Sequence, residues 1–144
     1  MYLSSLIKSF TLPALLLGAA IAHADAHGDV KLYFVNLEDG ATVTSPVRVI
    51  FGLRGMGVAP AGVDVPSTGH HHLLIDTTLE GEALEQPIPS TQQHLHVGGG
   101  QTETDLELAP GQDRLQLVLG NYSHVPHDPP IMSDPITITV IEEE

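Results

Sequence analysis

The sequence contains no cysteine and no tryptophan, three tyrosines, three phenylalanines, and only five lysines and arginines in total. Without cysteine there is no disulfide framework, no thiolate ligand, no thiol nucleophile and no lipid anchor on a cysteine. Any metal site must therefore use His, Met, carboxylate or backbone atoms. The five basic residues face 18 acidic ones, for a formal net charge of −13. This balance argues against nucleic acid and anionic lipid as partners, because neither phosphate backbone nor headgroup would meet a basic patch.

Motifs for chemistry are also scarce. Gly98-Gly99-Gly100-Gln101-Thr102 is glycine-rich but lacks the lysine and the strand-to-helix setting of a phosphate loop. No serine sits in a nucleophile elbow and no His-Glu-x-x-His is present. Asp76, Glu103 and Asp128 read as surface or supporting acids, and no enzymatic activity is expected; a copper-dependent oxidase is the remotest reading.

What the chain does have begins at its N-terminus. Lys8 precedes an apolar stretch from Leu12 to Ile21, and Ala22-His23-Ala24-Asp25-Ala26 follows. This is the layout of a secretory signal peptide over 1–26, with cleavage after Ala24 or after Ala26. Beyond it no apolar run approaches the ~20 residues of a membrane helix, so no membrane insertion is expected once the signal is removed. Residues 27–144 are then one domain of an exported protein, periplasmic or secreted, ending in an acidic tail. Cleavage after Ala26 would leave His27 with a free amine beside its ring, a chelating pair and the basis of the oxidase reading.

Within 27–144 the apolar pattern has a period of two. Val30–Leu37 alternates and stops at Glu38-Asp39-Gly40. Thr42–Leu53 carries Val43, Val47, Val49 and Phe51; Pro46 cannot donate to a ladder and places the start of this piece at a sheet edge. Further strands are expected at His70–Asp76, at His94–Val97, and on either side of Pro110-Gly111, where Thr104–Leu108 and Arg114–Leu119 suggest a hairpin. Ile136–Ile141 alternates Ile and Val with Thr. No convincing 3.6-residue pattern occurs. The expected fold is all-β, a small antiparallel immunoglobulin-like sandwich, with a closed barrel as the second choice.

Histidine is the unusual abundance, nine residues in all. Seven fall in three groups: His70, His71 and His72; His94 and His96; His124 and His127. Strand residues two apart share a face, so His70 with His72, and His94 with His96, can each present two imidazoles together. Leu95 and Val97 are expected inward, turning His94 and His96 outward; Leu73 and Ile75 favour burying His71 rather than its two neighbours. The loop from His124 to Met132 adds His127, Asp128 and a thioether. Imidazole with thioether and no thiolate suits copper better than zinc, although imidazoles also bind zinc. The leading reading is an exported copper-binding protein, a chaperone or store. The other is a non-catalytic structural or interaction module of the envelope, with hydrogen-bonded histidines and an exposed edge strand for a protein partner.

Gly69-His70-His71-His72-Leu73-Leu74-Ile75-Asp76, His96-Val97-Gly98-Gly99-Gly100-Gln101-Thr102-Glu103, Leu115-Gln116-Leu117 and His124-Val125-Pro126-His127-Asp128-Pro129-Pro130 together resemble the bacterial domain of unknown function number 4399. The resemblance spans nearly the whole exported part. It implies an exported single-domain protein of uncharacterised role, without an assigned reaction or ligand, and points to His70, His71, His72, His96, His124 and His127. His94 lies outside its pattern.

Overall fold

A computed structural model describes residues 28–142. The proposed signal segment and His27 lie outside them. The described residues form nine strands: β1 (Lys31–Phe34), β2 (Thr42–Thr44), β3 (Val47–Arg54), β4 (Gly57–Val58), β5 (Thr68–Ile75), β6 (His94–Val97), β7 (Glu103–Leu106), β8 (Gly111–Gly120) and β9 (Ile136–Ile141). One short 3-10 turn, Gly81–Glu85, lies between β5 and β6. A three-stranded sheet has the order β1-β3-β7. The larger sheet runs β2-β9-β8-β5-β4, with β6 also paired to β5, and it curls into a half-barrel. Pairing is antiparallel except for β2 with β9 and β4 with β5. The all-β, mainly antiparallel expectation therefore holds, while an immunoglobulin-like sandwich is a narrower description than these pairings give.

The two sheets share one core. Leu32, Val47, Val49 and Phe51 from the small sheet meet Leu73, Leu115, Leu117, Leu119, Ile136, Ile138 and Val140 from the large one. Alternation explains most strands: in β9, Ile136, Ile138 and Val140 are buried while Thr137 and Thr139 are not. Pro46 marks a break, as the sequence suggests, and also a change of sheet. β2 before it is the edge of the large sheet, whereas β3 after it is central in the small one.

The hairpin expected around Pro110-Gly111 does not form. β7 pairs with β3, and β8 pairs with β5 and β9, so the turn carries the chain from one sheet to the other. A Pro-Gly turn reverses the chain but does not select the strand it rejoins.

Strand β5 breaks the alternation rule, because every residue from Gly69 to Leu74 is buried. One face, with His71 and Leu73, looks into the main core. The other, with His70, His72 and Leu74, lies under segments 76–93 and 121–132. Leu79 and Ile88 from the first segment pack on Leu74 and Val118, with Leu84 and Met132 at the margin. A backbone hydrogen bond from Ile88 N to His124 O (2.9 Å) joins the two covering segments. His70 and His72 share the face opposite His71, as the alternation with Leu73 and Ile75 implies, but these loops cover it.

Candidate metal centre

Strand register brings the first three imidazoles together. His70 and His72 project from the covered face of β5, and His96 stands directly opposite His72 in the β5–β6 ladder. Residues paired across a ladder share a face at a Cβ separation of ~4.5–5.5 Å. The fourth imidazole, His124, arrives from the loop after β8. One nitrogen from each of His70, His72, His96 and His124 lies within 4.8 Å of the other three.

Glycine makes room for these rings. A Cβ on Gly120 would stand 2.8 Å from His72 Nε2, and one on Gly98 would collide with the His96 ring. The requirement at both positions is space beside an imidazole. Neither role is visible in the sequence, where Gly98 stands only in a glycine-rich run without the features of a phosphate loop.

Contacts within the cluster are close. His72 Nε2 lies 3.0 Å from His70 Nε2, which lies 3.2 Å from His124 Nδ1. Ring centroids are 4.7 Å apart for His96–His124, 5.0 Å for His70–His96 and 5.1 Å for His72–His96. His70 and His72 are fully buried; His96 and His124 are partly exposed.

Hydrogen bonding alone cannot satisfy this group. A neutral ring nitrogen carries either one proton or one in-plane lone pair, so His70 Nε2 can make one good hydrogen bond, yet it has two nitrogen neighbours. His70 Nδ1, His72 Nδ1 and His96 Nε2 are buried with no hydrogen-bond partner. An ion held through His70 Nε2 and His72 Nε2 would not pair their Nδ1 atoms, so it is the crowding at His70 Nε2 that calls for an ion.

The electrostatics favour the ligand form of imidazole. Burial first, then the imidazoles of His96, His124 and His127, push His70 down to about 4. Burial and then His70, His96, His124 and His71 push His72 down to about 3. His96 is lowered by burial and by His124. Neutral rings keep their lone pairs for a cation.

The geometry suits a four-coordinate ion. Four nitrogens at the ~2.0–2.1 Å of a metal–imidazole bond stand roughly 3.3 Å apart in a tetrahedron. The 3.0 and 3.2 Å contacts already approach that spacing, and the widest pair needs modest closure.

Several expected ligands fall outside the group. His71 points into the main core against Phe51, at 4.8 Å between ring centroids, because adjacent strand residues face opposite ways. His127 is near enough to lower His70, but its Nε2 sits beside Gly69, 2.9 Å from where a Cβ there would be. His94 shares the covered face of β6 but bonds locally, its Nδ1 3.0 Å from Thr91 Oγ1. Met132 packs with the Leu74 cluster and Asp128 is exposed. The thioether that favoured copper is therefore not among the grouped donors.

A small β domain with four convergent imidazoles has the characteristics of a candidate metal-binding protein. By sequence the chain belongs to the family described as "Domain of unknown function (DUF4399)", whose model matches residues 49–141. That match includes β5, β6 and the His124 loop, so the whole cluster lies inside the family domain. No curated protein matches the chain. Among solved structures, it is similar to the endo-beta-1,4-mannanase from Thermotoga petrophila, with 15% identity and a TM-score of 0.45 over 83% of this chain. The chain spans 21% of the length of that protein.

Proposed function

We propose that this is an exported, non-catalytic metal-binding protein of the periplasm or cell exterior, holding one divalent ion between His70, His72, His96 and His124. The observation that carries the reading is the double contact at His70 Nε2, 3.0 Å from His72 Nε2 and 3.2 Å from His124 Nδ1. A shared cation uses all these lone pairs at once, whereas protons cannot. Four protein nitrogens close the coordination shell, which suits holding or carrying an ion better than activating water on it.

Copper(II) is the ion we favour on affinity, with zinc(II) as the competitor that the tetrahedral spacing suits. An all-nitrogen site binds Cu²⁺ more tightly than its first-row neighbours, and carboxylate and thiolate are absent from the set. Titration calorimetry with Cu(II) and with Zn(II) tests this, using the protein and a folded variant with alanine at all four positions. One saturable ion per chain, lost in the variant, is expected. Absence of saturable binding would leave the second reading, a structural or interaction module of the envelope. That reading draws on the short imidazole contacts as hydrogen bonds, and places a protein partner on an exposed sheet edge.

A further inference from the structure

The four nitrogens are held in unequal ways, which has consequences if they form one metal site as proposed above. His70, His72 and His96 stand on strands, and β5 is paired on both sides, to β8 and to β6. Gly120 and Gly98 fit against the rings of His72 and His96, so those two rings have little room to move. His96 Nε2 is itself buried.

His124, partly exposed like His96, differs in how its backbone is held. It lies on a loop, offers Nδ1 toward His70, and has a φ of 70°, a left-handed backbone that a residue with a side chain seldom adopts. Its turn is organised by Asn121. Asn121 Oδ1 accepts from Ser123 N (2.9 Å), Val125 N (3.1 Å) and Ser123 Oγ (3.0 Å). The Asn121 carbonyl accepts from His124 N (2.9 Å), and Asn121 N donates to Val125 O (2.8 Å). These bonds close within five residues; the turn is tied outward by Ile88 N to His124 O (2.9 Å), Gly62 N to Tyr122 O (2.8 Å) and a bridge between Gly120 and Pro126, so moving His124 costs loop contacts but leaves the β5–β6–β8 ladder paired. Its outer side, Tyr122 and Ser123, is exposed.

We propose that His124 is the exchangeable ligand of the site. His70, His72 and His96 form a fixed three-nitrogen seat, and the ion enters and leaves through the position of His124, where an imidazole or thioether side chain of a donor or acceptor protein takes its place. The step is a ligand substitution. One metal–nitrogen bond to His124 breaks as one bond to the incoming donor forms, and no electron is transferred. Asn121 is a positioning residue that sets how readily this happens.

The test uses the full chain loaded with one equivalent of Cu(II), free imidazole as the incoming ligand, and a chelator as the acceptor. His124→Ala should still bind one ion, release it faster by about tenfold or more, the scale seen when support for a ligand is lost, and recover the parent absorption spectrum when imidazole is added. Asn121→Ala keeps all four imidazoles and should also release faster, with a smaller change in equilibrium affinity. His96→Ala, whose ring position is fixed by strand β6 and by Gly98 beside it, should be rescued far less. Equal rescue of His96→Ala, or release rates unchanged in both His124→Ala and Asn121→Ala, would overturn the proposal while leaving the site intact. Failure of the parent protein to bind Cu(II) would instead overturn the reading on which it rests.

Discussion

His72 and His96 occupy paired positions in the β5–β6 ladder, so strand register alone places two imidazoles of the cluster side by side. Neither depends on a loop for its position. Replacing either with alanine should weaken Cu(II) or Zn(II) binding by about tenfold or more, equivalent to at least ~1.4 kcal/mol. Because both would touch one ion, the double variant should lose less than the sum of the two single losses. Titration of the four proteins of this cycle checks it. Strict additivity would mean that the two rings do not share a ligand.

Gly120 and Gly98 provide a test by addition instead of removal. Gly120→Ala brings a methyl group to 2.8 Å from His72 Nε2 and 3.0 Å from His72 Cδ2. Overpacking of this kind costs about 1–3 kcal/mol. The variant is expected to fold, melt at lower temperature and lose most of its ion affinity, with all four imidazoles still present. Gly98→Ala should do the same through His96. Full affinity in both variants would show that the rings are not held where the cluster needs them.

Much of this arrangement was legible in the sequence, and its gaps have physical causes. Alternation located β9 at Ile136–Ile141, and the two-residue spacing of His70 with His72 put both on one face. The same rule, through Leu73 and Ile75, turned His71 the other way, yet the family resemblance kept His71 among the candidates. Nothing in the sequence distinguished His124 from His127, since ligand direction on a loop depends on turn conformation, here the left-handed backbone of His124 set by Asn121. The cover over His70 and His72 was equally hidden. Leu79, Ile88 and Met132 are scattered through proline-spaced segments with no period, and their joint packing on Leu74 and Val118 is a tertiary fact.

Stability should depend on pH in a definite direction. His70 and His71 are lowered to about 4 and His72 to about 3, from an ordinary 6.5. Below about pH 6.5 the unfolded chain takes protons on these rings while the folded chain does not, so the unfolded state gains. Stability of the metal-free protein is therefore full above about pH 6.5 and falls as pH drops toward 4, by up to ~1.4 kcal/mol per pH unit for each ring. Urea unfolding at pH 7.5, 5.5 and 4.5 measures this. A midpoint that stays constant across that range would show that the rings are protonated in the fold or exposed to water.

Bound metal should resist that loss. An ion that binds only the folded chain stabilises it by about 2.7 kcal/mol at a free concentration one hundred times Kd. At pH 7.5 the melting temperature should rise with Cu(II) or Zn(II) concentration, and calcium, which prefers oxygen donors, should have no such effect. A rise of equal size in the variant lacking all four imidazoles would assign it to the acidic surface instead.

His71 separates core from site. Its ring lies against Phe51 in an apolar interior, both of its nitrogens are buried without a hydrogen-bond partner, and it sits on the opposite face of β5 from His70 and His72. An unpaired buried polar group costs about 1–3 kcal/mol, and leucine fills a similar volume without one. His71→Leu should therefore stabilise the metal-free protein by about 1 kcal/mol at neutral pH. The gain should grow toward pH 5, because one proton-accepting ring has been removed from the unfolded chain. Ion stoichiometry should stay at one and affinity should change little. Loss of ion binding in a well-folded His71→Leu protein would require β5 to turn its other face to the site, since a slip of one residue exchanges the faces of a strand. The cluster of His70, His72, His96 and His124 would then have to be abandoned.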